Sequence, residues 1–318
     1  MSEPVVAVVR TLLPAGMEPL RGVADVREGG FAPSRQEVLE LVEGATAVVA
    51  DPAVPVDGEL LDAAGGQLRV VANFAVGLDN VDVEACRERD VAVTNTPDVL
   101  TNATAELALA LTLAAARHLP QAERDLREGR WKGWDPAAHL GLELSGATVG
   151  IVGLGRIGTR YAELVHGFGV ELLYASRSPK PEAEGRLGAA RVDLGELLKR
   201  SDVVSLHVPA SPRTRHMIDA EALTRVKPGA VLVNTSRGAL VDTEALAQTL
   251  RDGRLGAAGL DVYENEPDVP AELLEAPRTA LTPHIGSATV KARDAMARTV
   301  AENVIAVLEG REPPNLAS

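Results

Sequence analysis

The chain has 318 residues, which suits two domains better than one compact core. Its formal net charge of −13 argues against nucleic acid and anionic membrane surfaces as partners, because both are bound by basic surfaces. The longest apolar stretch, near Leu107 to Ala116, is too short to span a bilayer. The single cysteine, Cys86, cannot form an internal disulfide, so we expect a protein of the reducing cytoplasm.

The first part of the chain alternates short β-branched runs with helical patterns, which predicts a parallel sheet with crossover helices. Its predicted strands are Val5–Val9, Thr46–Ala50, Leu68–Ala72 and Val91–Val93. A helix is predicted from Ser34 to Glu43, with Ser34 as its cap and Glu37 at the capping-box position. The turn Gly77–Asn80 follows the third strand, at the edge where parallel sheets place ligands.

Two helices and a tryptophan-containing loop come next. The sequence predicts a long helix from about Asn102 to His118 and a second from Pro120 to Glu128. Both tryptophans of the chain, Trp131 and Trp134, lie in the loop that follows. Tryptophan favours interfaces because of its large contact area, but a loop anchored on its own domain is an equally good interpretation.

A second series of strands and helices begins at Ala147. Six strands with intervening helices match a complete dinucleotide-binding sheet, and one long helix is predicted from Ser287 to Glu309. The six predicted strands are Ala147–Val152, Val170–Ala175, Asp202–Val208, Ala230–Asn234, Ala257–Leu260 and Thr279–Leu281.

The first strand of this series runs directly into a G-x-G-x-x-G turn, and a helical pattern follows the turn. Gly153 permits the tight turn, Gly155 lets the backbone approach a pyrophosphate, and Gly158 lets the helix pack closely on the strand. The pyrophosphate would then lie at the positive end of the helix. The strand and helix on either side favour a dinucleotide site over a glycine-rich turn without a ligand.

The end of the next strand bears on which cofactor is bound. NAD sites place an acidic residue there for the ribose hydroxyls, but no carboxylate stands between Glu171 and Glu182. Ser176 occupies the expected acidic position and Arg177 follows, and a guanidinium binds a 2′-phosphate well. We therefore predict a preference for NADP, with NAD possible. The alternative is that Arg177 is a solvated loop residue.

Three later segments each end a predicted strand and should meet at one edge of the sheet. They contribute Arg237, Glu266 and His284. Reduction of a 2-keto acid requires a cation for the carboxylate, a proton donor for the carbonyl oxygen, and a carboxylate that orients the donor. Each residue alone could be structural, and Glu264 is as good a candidate for the orienting acid as Glu266.

At these residues the chain resembles the D-isomer-specific 2-hydroxyacid dehydrogenase family over nearly its full length. Within that family it is most similar to the glyoxylate/hydroxypyruvate reductases, on the basis of Pro97–Thr101, Ser176–Arg177 and Trp131–Trp134. The family motifs, in order, are Ala75–Asn80, Thr96–Asp98, the Gly153 turn, Asn234–Gly238, Gly259–Val262, Glu264–Pro267 and Pro283–Thr289.

The resemblance implies a role for each matching residue. Arg237 would bind substrate, Glu266 would be the orienting acid and His284 the proton donor, while the backbone N–H groups of Val76 and Gly77 would bind the substrate carboxylate. Similar reductases are dimers in which a tryptophan of the neighbouring subunit enters the active site, and Trp134 matches it. No metal is expected. Besides the glycine turn with Ser176 and Arg177, the expected cofactor contacts are Arg156, Ile157, Pro209, Thr214, Thr235, Asp261, His284 and Gly286.

The resemblance also implies two Rossmann-like doubly wound α/β domains with the active site in a cleft between them. Residues 1–99 with 287–318 would form a discontinuous substrate domain, and residues 100–286 the dinucleotide-binding domain. The expected activity is reduction of a small 2-keto acid to the D-2-hydroxy acid. The alternatives are a phosphoglycerate or phosphite dehydrogenase of the same family, and a non-enzymatic nucleotide-sensing corepressor on the same fold.

Overall fold

The computed structural model describes residues 3–317, and their contacts divide them into two compact units. The first unit contains the described residues up to Leu100 together with those from Ser287 onward, and the second runs from Thr101 to Gly286. Within the described range, no helix is long and apolar enough to cross a membrane.

The first unit is built on a five-stranded sheet in which every pairing is parallel, in the order β2-β1-β3-β4-β5. The central strands β3 and β4 are buried along their whole length, as expected of parallel strands covered on both faces. Four strands were predicted; β2 was not, because its sequence is mostly charged and it lies at the sheet edge. The strands are β1 (Val5–Val8), β2 (Asp25–Glu28), β3 (Ala47–Ala50), β4 (Val70–Asn73) and β5 (Ala92–Thr94).

Five helices flank this sheet. The capping box predicted for α2 is present: the Ser34 hydroxyl accepts from the Glu37 N–H, and the Glu37 carboxylate accepts from the Ser34 N–H at 2.7 Å. The last helix begins at Val290, three residues later than predicted, because Thr289 caps it. Numbered in chain order, the helices are α1 (Pro14–Arg21), α2 (Arg35–Val42), α3 (Gly58–Ala64), α4 (Val83–Arg87) and α13 (Val290–Leu308).

The second unit is built on a seven-stranded parallel sheet in the order β12-β11-β10-β9-β6-β7-β8. The chain order reverses between β9 and β6, and open α/β sheets bind ligands at such a switch point. Six strands match the prediction, and the two-residue edge strand β8 is additional. The strands are β6 (Thr148–Val152), β7 (Glu171–Ala175), β8 (Ala190–Arg191), β9 (Val203–Leu206), β10 (Val231–Asn234), β11 (Ala257–Leu260) and β12 (Thr279–Leu281).

The helices of this unit cover both faces of the sheet, and a separate apolar core lies under each face. The long helix α5 ends at Ala116, two residues earlier than predicted, because His118 takes a left-handed conformation with φ 52°. The helices are α5 (Thr101–Ala116), α6 (Leu119–Arg127), α7 (Arg156–His166), α8 (Pro181–Leu187), α9 (Leu194–Arg200), α10 (Ala220–Arg225), α11 (Thr243–Arg251) and α12 (Ala271–Leu274), with a 3₁₀ turn at Gly238–Leu240.

Candidate active site

The glycine turn joins β6 to α7, and its three glycines differ in what a side chain would meet there. Gly153 has φ 94°, and a side chain there would lie 2.6 Å from the His207 carbonyl oxygen. A Cβ at Gly158 would lie 2.1 Å from the Gly153 carbonyl oxygen, so the start of α7 can approach the turn only with glycine. A Cβ at Gly155 would meet nothing within 4 Å. The open side of the turn is therefore at Gly155, where a pyrophosphate would approach the backbone.

The end of β7 carries the residues from which cofactor preference was predicted. Ser176 is half-buried and its hydroxyl donates to the Ser178 carbonyl oxygen at 2.5 Å, while the Arg177 side chain is exposed. Arg191, on β8, donates to the carbonyl oxygens of Ser176 and Arg177 at 3.0 and 3.1 Å. Sequence reasoning missed this second guanidinium because the short edge strand that positions it has no apolar pattern.

Two other predicted cofactor residues share one loop after β9. The Thr214 hydroxyl donates to the Pro209 carbonyl oxygen at 2.8 Å, which closes the loop on itself.

Thr235, directly after β10, is buried, and its hydroxyl oxygen has no hydrogen-bond partner among the described residues. A buried hydroxyl without a partner is costly, so an unfilled polar contact beside this strand end fits a site for a bound cofactor.

Asp261, at the end of β11, organises the segment that carries His284. Its carboxylate accepts from the Thr282 hydroxyl at 2.7 Å and from the N–H groups of Ile285 and Gly286 at 2.8 and 2.7 Å. Burial raises the pKa of Asp261, although these hydrogen bonds and the charge of His284 oppose the rise. The three donors fix the backbone around His284, whose own N–H donates to the Asp261 carbonyl oxygen.

The imidazole of His284 is paired with Glu266. Nδ1 of His284 lies 2.6 Å from Oε2 of Glu266, and the Tyr263 N–H donates to Oε1 of Glu266 at 2.9 Å. Burial raises the pKa of Glu266, but the hydrogen bond from His284, the charge of His284, the Tyr263 N–H and the charge of Arg237 outweigh it and lower the pKa overall. Glu266 therefore stays ionised beside Nδ1, which leaves Nε2 of a 36% exposed side chain for another molecule.

The competing acid, Glu264, has other partners. Its carboxylate binds Arg215 at 2.5 Å and the His216 ring at 2.9 Å. The sequence left Glu264 and Glu266 as equal candidates, and the structure brings only Glu266 to His284 within the described residues.

Arg237 is held at the end of β10 by its own backbone neighbours. The Asn234 side chain donates to the Arg237 carbonyl oxygen at 2.8 Å and accepts from the Ser236 N–H at 3.0 Å. A Cβ at Gly238 would lie 1.9 Å from the Tyr263 carbonyl carbon, so only glycine lets this segment lie against the backbone of Tyr263. The charge of Arg237 contributes to the lowering of the pKa of Glu266. The predicted cation, acid and imidazole thus come together in the second unit, at the carboxyl ends of adjacent strands.

In the first unit, Val76 and Gly77 follow β4. Their carbonyl oxygens accept from the side chains of Asn95 and Asn73, each at 2.8 Å. Two asparagine side chains therefore fix the carbonyl groups of this turn.

The tryptophan loop lies on the surface of the second unit. Trp134 is 85% exposed and Trp131 65% exposed, and all residues from 128 to 141 are exposed. The structure therefore does not anchor this loop on the core of its own domain. An exposed pair of indoles is unusual for a surface in contact only with water.

Comparison with known proteins identifies the family. Residues 109–286 match the sequence model of the D-isomer specific 2-hydroxyacid dehydrogenase NAD binding domain. The chain is 48% identical over 291 residues to a glyoxylate reductase from Thermococcus litoralis, covering 90% of this chain and 88% of that protein.

Solved structures agree over the full length. A protein from Thermus thermophilus is 46% identical with a TM-score of 0.93, covering 99% of this chain and 100% of that one. An NADPH-dependent glyoxylate/hydroxypyruvate reductase from Sinorhizobium meliloti, solved with NADP and malonate, is 35% identical with a TM-score of 0.87, covering 100% of this chain and 97% of that one. The fold and these similarities together show that the chain belongs to the D-isomer-specific 2-hydroxyacid dehydrogenase family, is an NAD(P)-dependent oxidoreductase and carries the family's NAD-binding domain.

Proposed function

We propose that this chain reduces glyoxylate and hydroxypyruvate to the corresponding 2-hydroxy acids with NAD(P)H. The observation that carries the proposal is the pairing of His284 with an ionised Glu266 beside the charge of Arg237. The curated relatives at this level of identity are glyoxylate reductases, and one structural relative is a glyoxylate/hydroxypyruvate reductase.

The substrate has two groups that must be bound. We propose that the Arg237 guanidinium binds the carboxylate and draws electron density from the adjacent carbonyl, because a guanidinium matches a carboxylate in charge and shape. The N–H groups of Val76 and Gly77 are proposed to donate to the same carboxylate.

His284 is proposed to supply the proton. Its Nδ1 is held by Glu266, so the protonated ring presents Nε2–H to the carbonyl oxygen as negative charge develops there. The Glu266 carboxylate stabilises the protonated ring and keeps its orientation fixed.

The nicotinamide cofactor supplies the hydride when bound. We propose that the turn Gly153–Gly158 holds its pyrophosphate, with Arg156 and Ile157 at the start of α7, and that Pro209, Thr214, Thr235, Asp261, His284 and Gly286 complete the site. The unpartnered hydroxyl of Thr235 and the open space at Gly155 support this placement.

We propose that NADPH is preferred over NADH. Ser176 stands at the position of the acidic residue typical of NAD sites, and the guanidinium groups of Arg177 and Arg191 make this end of β7 positive. We expect Arg177→Ala to lower kcat/KM with NADPH by roughly tenfold and to leave kcat/KM with NADH nearly unchanged. Arg186→Ala, which removes an exposed guanidinium paired with Glu163, is the control. If the ratio of kcat/KM with NADPH to kcat/KM with NADH were the same in Arg177→Ala and wild type, this role of Arg177 would be contradicted.

The activity is tested by mixing the purified protein with NADPH and a panel of acids and following the loss of NADPH absorbance. We expect rapid oxidation with glyoxylate and hydroxypyruvate, one hydroxy acid formed per NADPH, and D-glycerate from hydroxypyruvate. The oxidation of phosphite and of 3-phosphoglycerate by NAD(P) is measured as well. If either reaction is faster than the reduction of glyoxylate and hydroxypyruvate, the chain is a phosphite or phosphoglycerate dehydrogenase of the same family. The absence of any turnover with the whole panel would favour a nucleotide-sensing role.

We further propose a cytoplasmic homodimer in which Trp134 completes the partner's site. Support comes from the exposed Trp131 and Trp134 and from Leu119 and Leu126, which are exposed on α6 and extend the apolar surface. The single, buried, unpaired Cys86 is consistent with a reducing compartment. For the domains we propose that residues 1–99 with 287–318 bind substrate and that residues 100–286 bind the cofactor.

A further inference from the structure

A cavity of about 340 Å³ opens at the edge of the second sheet opposite to the candidate active site. Its floor includes Val231 and Ala257, the first residues of β10 and β11. The other ends of these two strands lead to Arg237 and Asp261. The cavity therefore lies apart from the proposed substrate and cofactor groups of this sheet.

The lining of the cavity is basic at one end and apolar along its wall. His118 and Arg278 are its titratable side chains, and none of its lining residues is acidic. Leu140 and Leu142 form part of the apolar wall. In a chain with a net charge of −13, a concave surface that contains a guanidinium and an imidazole but no acid is unusual.

The charge of Arg278 is fixed in place but not neutralised. Its guanidinium donates to the carbonyl oxygens of Gly256 at 2.7 Å and Leu250 at 2.6 Å, and it pairs with no carboxylate among the described residues. Burial lowers the pKa of His118, the charge of Arg278 lowers it further, and a hydrogen bond with the Leu140 backbone opposes the fall. Both side chains line the same cavity, so an anion there would lie beside the guanidinium charge of Arg278.

The backbone around the two basic residues is held in an unusual conformation. His118 has φ 52° and Arg278 has φ 57°, both in the left-handed region that non-glycine residues seldom adopt. Nδ1 of His118 is buried without a hydrogen-bond partner among the described residues. Strain and an unsatisfied polar atom, both at the wall of one cavity, are typical of a site rather than of a packing gap.

The opposite wall is built by close backbone contact. The Leu142 N–H donates to the Ala116 carbonyl oxygen at 2.8 Å, and a Cβ at Gly141 would lie 2.2 Å from that oxygen. Glycine at 141 therefore lets the segment pass against the end of α5 and sets the width of the cavity.

We propose that this cavity binds a small organic anion, with its carboxylate against Arg278 and His118 and a compact apolar body against Leu140 and Leu142. A guanidinium matches a carboxylate in charge and planar shape. The apolar wall supplies the remaining binding free energy by burial of the ligand's body.

Cyclohexanecarboxylate is the probe, titrated by calorimetry into the full-length protein, with cyclohexanecarboxamide as its neutral counterpart. Since Arg237 is itself proposed to bind carboxylates, the titration is repeated with Arg237→Ala. We expect saturable binding of the carboxylate that persists in Arg237→Ala, and binding of the amide at least about tenfold weaker.

Three variants locate the site. Arg278→Gln removes the fixed charge, His118→Asn removes the ring while keeping a residue that tolerates left-handed φ, and Leu140→Trp fills the cavity from its rim. Each should weaken binding by about tenfold or more. Arg254→Gln is the matched control, because Arg254 also donates to backbone carbonyls of this unit but does not line the cavity.

Leu140 is 72% exposed, so we expect Leu140→Trp to fold normally. This variant therefore still tests the site if Arg278→Gln does not fold. The proposal is overturned if wild type does not bind the carboxylate, if the amide binds equally well, or if binding survives Leu140→Trp unchanged. Binding that disappears in Arg237→Ala would assign it to the candidate active site and would equally overturn the proposal.

Discussion

The imidazole of His284 is fixed from two directions by groups that sequence spacing alone does not bring together. Glu266 binds its Nδ1 through a 2.6 Å contact, and Asp261 fixes the backbone on either side of it. Because Glu266 is ionised and within the field of Arg237, it places a negative charge beside Nδ1 of His284.

Replacing Glu266 tests this arrangement through pH dependence. Its pKa is lowered from the usual 4.5, so its charge is present at neutral pH and is lost only as the pH falls below the usual range. Glu266→Gln removes this negative charge from beside Nδ1 of His284. We expect the pH at which reductive kcat falls by half to move down by about one unit or more.

Glu264→Gln is the matched control for this prediction. Glu264 binds Arg215 and His216 rather than His284, so this variant should leave the pH profile in place. A profile that shifts in Glu264→Gln and stays fixed in Glu266→Gln would contradict the assignment of the orienting acid.

At this scale the sequence predicted the residue types but not their pairing. Arg237, Glu266 and His284 each follow a strand, which indicated a common edge of the sheet. The choice between Glu264 and Glu266 depends on which way the backbone turns after Val262, and two carboxylates only two residues apart give no sequence signal for that. The second guanidinium at the end of β7, Arg191, was missed for a similar reason.

Among the elements, the turn between β6 and α7 combines two requirements that can be separated. Gly158 is needed by the protein itself, since a Cβ there would collide with the Gly153 carbonyl oxygen at 2.1 Å. At Gly155 a Cβ would meet no protein atom within 4 Å, so packing does not require glycine there. The same motif therefore contains one glycine that packing requires and one that it does not.

Alanine at each position distinguishes these requirements. Gly158→Ala should destabilise the protein by about 1–3 kcal/mol, measured by denaturant unfolding without cofactor. Gly155→Ala should change the free energy of unfolding by less than about 1 kcal/mol and weaken NADPH binding, measured by fluorescence titration, by at least about tenfold. Unchanged NADPH affinity in Gly155→Ala would contradict the proposed position of the pyrophosphate.

The elements themselves were largely predictable where apolar periodicity is strong. The buried strands and the capping box at Ser34 followed directly from the pattern. The edge strands β2 and β8 did not, because they are polar or only two residues long and are formed by pairing with a stronger neighbour.

The whole molecule consists of two Rossmann-like units, and the alternation of strands and helices predicted both sheets. The strand order within each sheet follows the general rules for doubly wound folds. The apolar periodicity of one chain does not predict whether a second chain contacts the exposed tryptophan loop. Periodicity reports only the burial of side chains within that chain.

The proposed dimer gives a prediction at this scale. Sedimentation should give twice the mass of one chain, and Trp134→Ala should raise KM for glyoxylate by roughly tenfold while leaving KM for NADPH nearly unchanged. Trp131→Ala, in the same loop, should affect KM for glyoxylate less. A monomer with wild-type kinetics in Trp134→Ala would exclude a contribution from the partner.

The proposed reaction depends most directly on His284 as the proton donor. We would measure the single-turnover rate of NADPH oxidation by glyoxylate in wild type, in His284→Ala and in the control His166→Ala, which changes an exposed histidine at the end of α7. We predict a rate about 10²–10⁴-fold lower in His284→Ala at saturating NADPH, with the control variant close to wild type. A wild-type rate of NADPH oxidation in His284→Ala would contradict it.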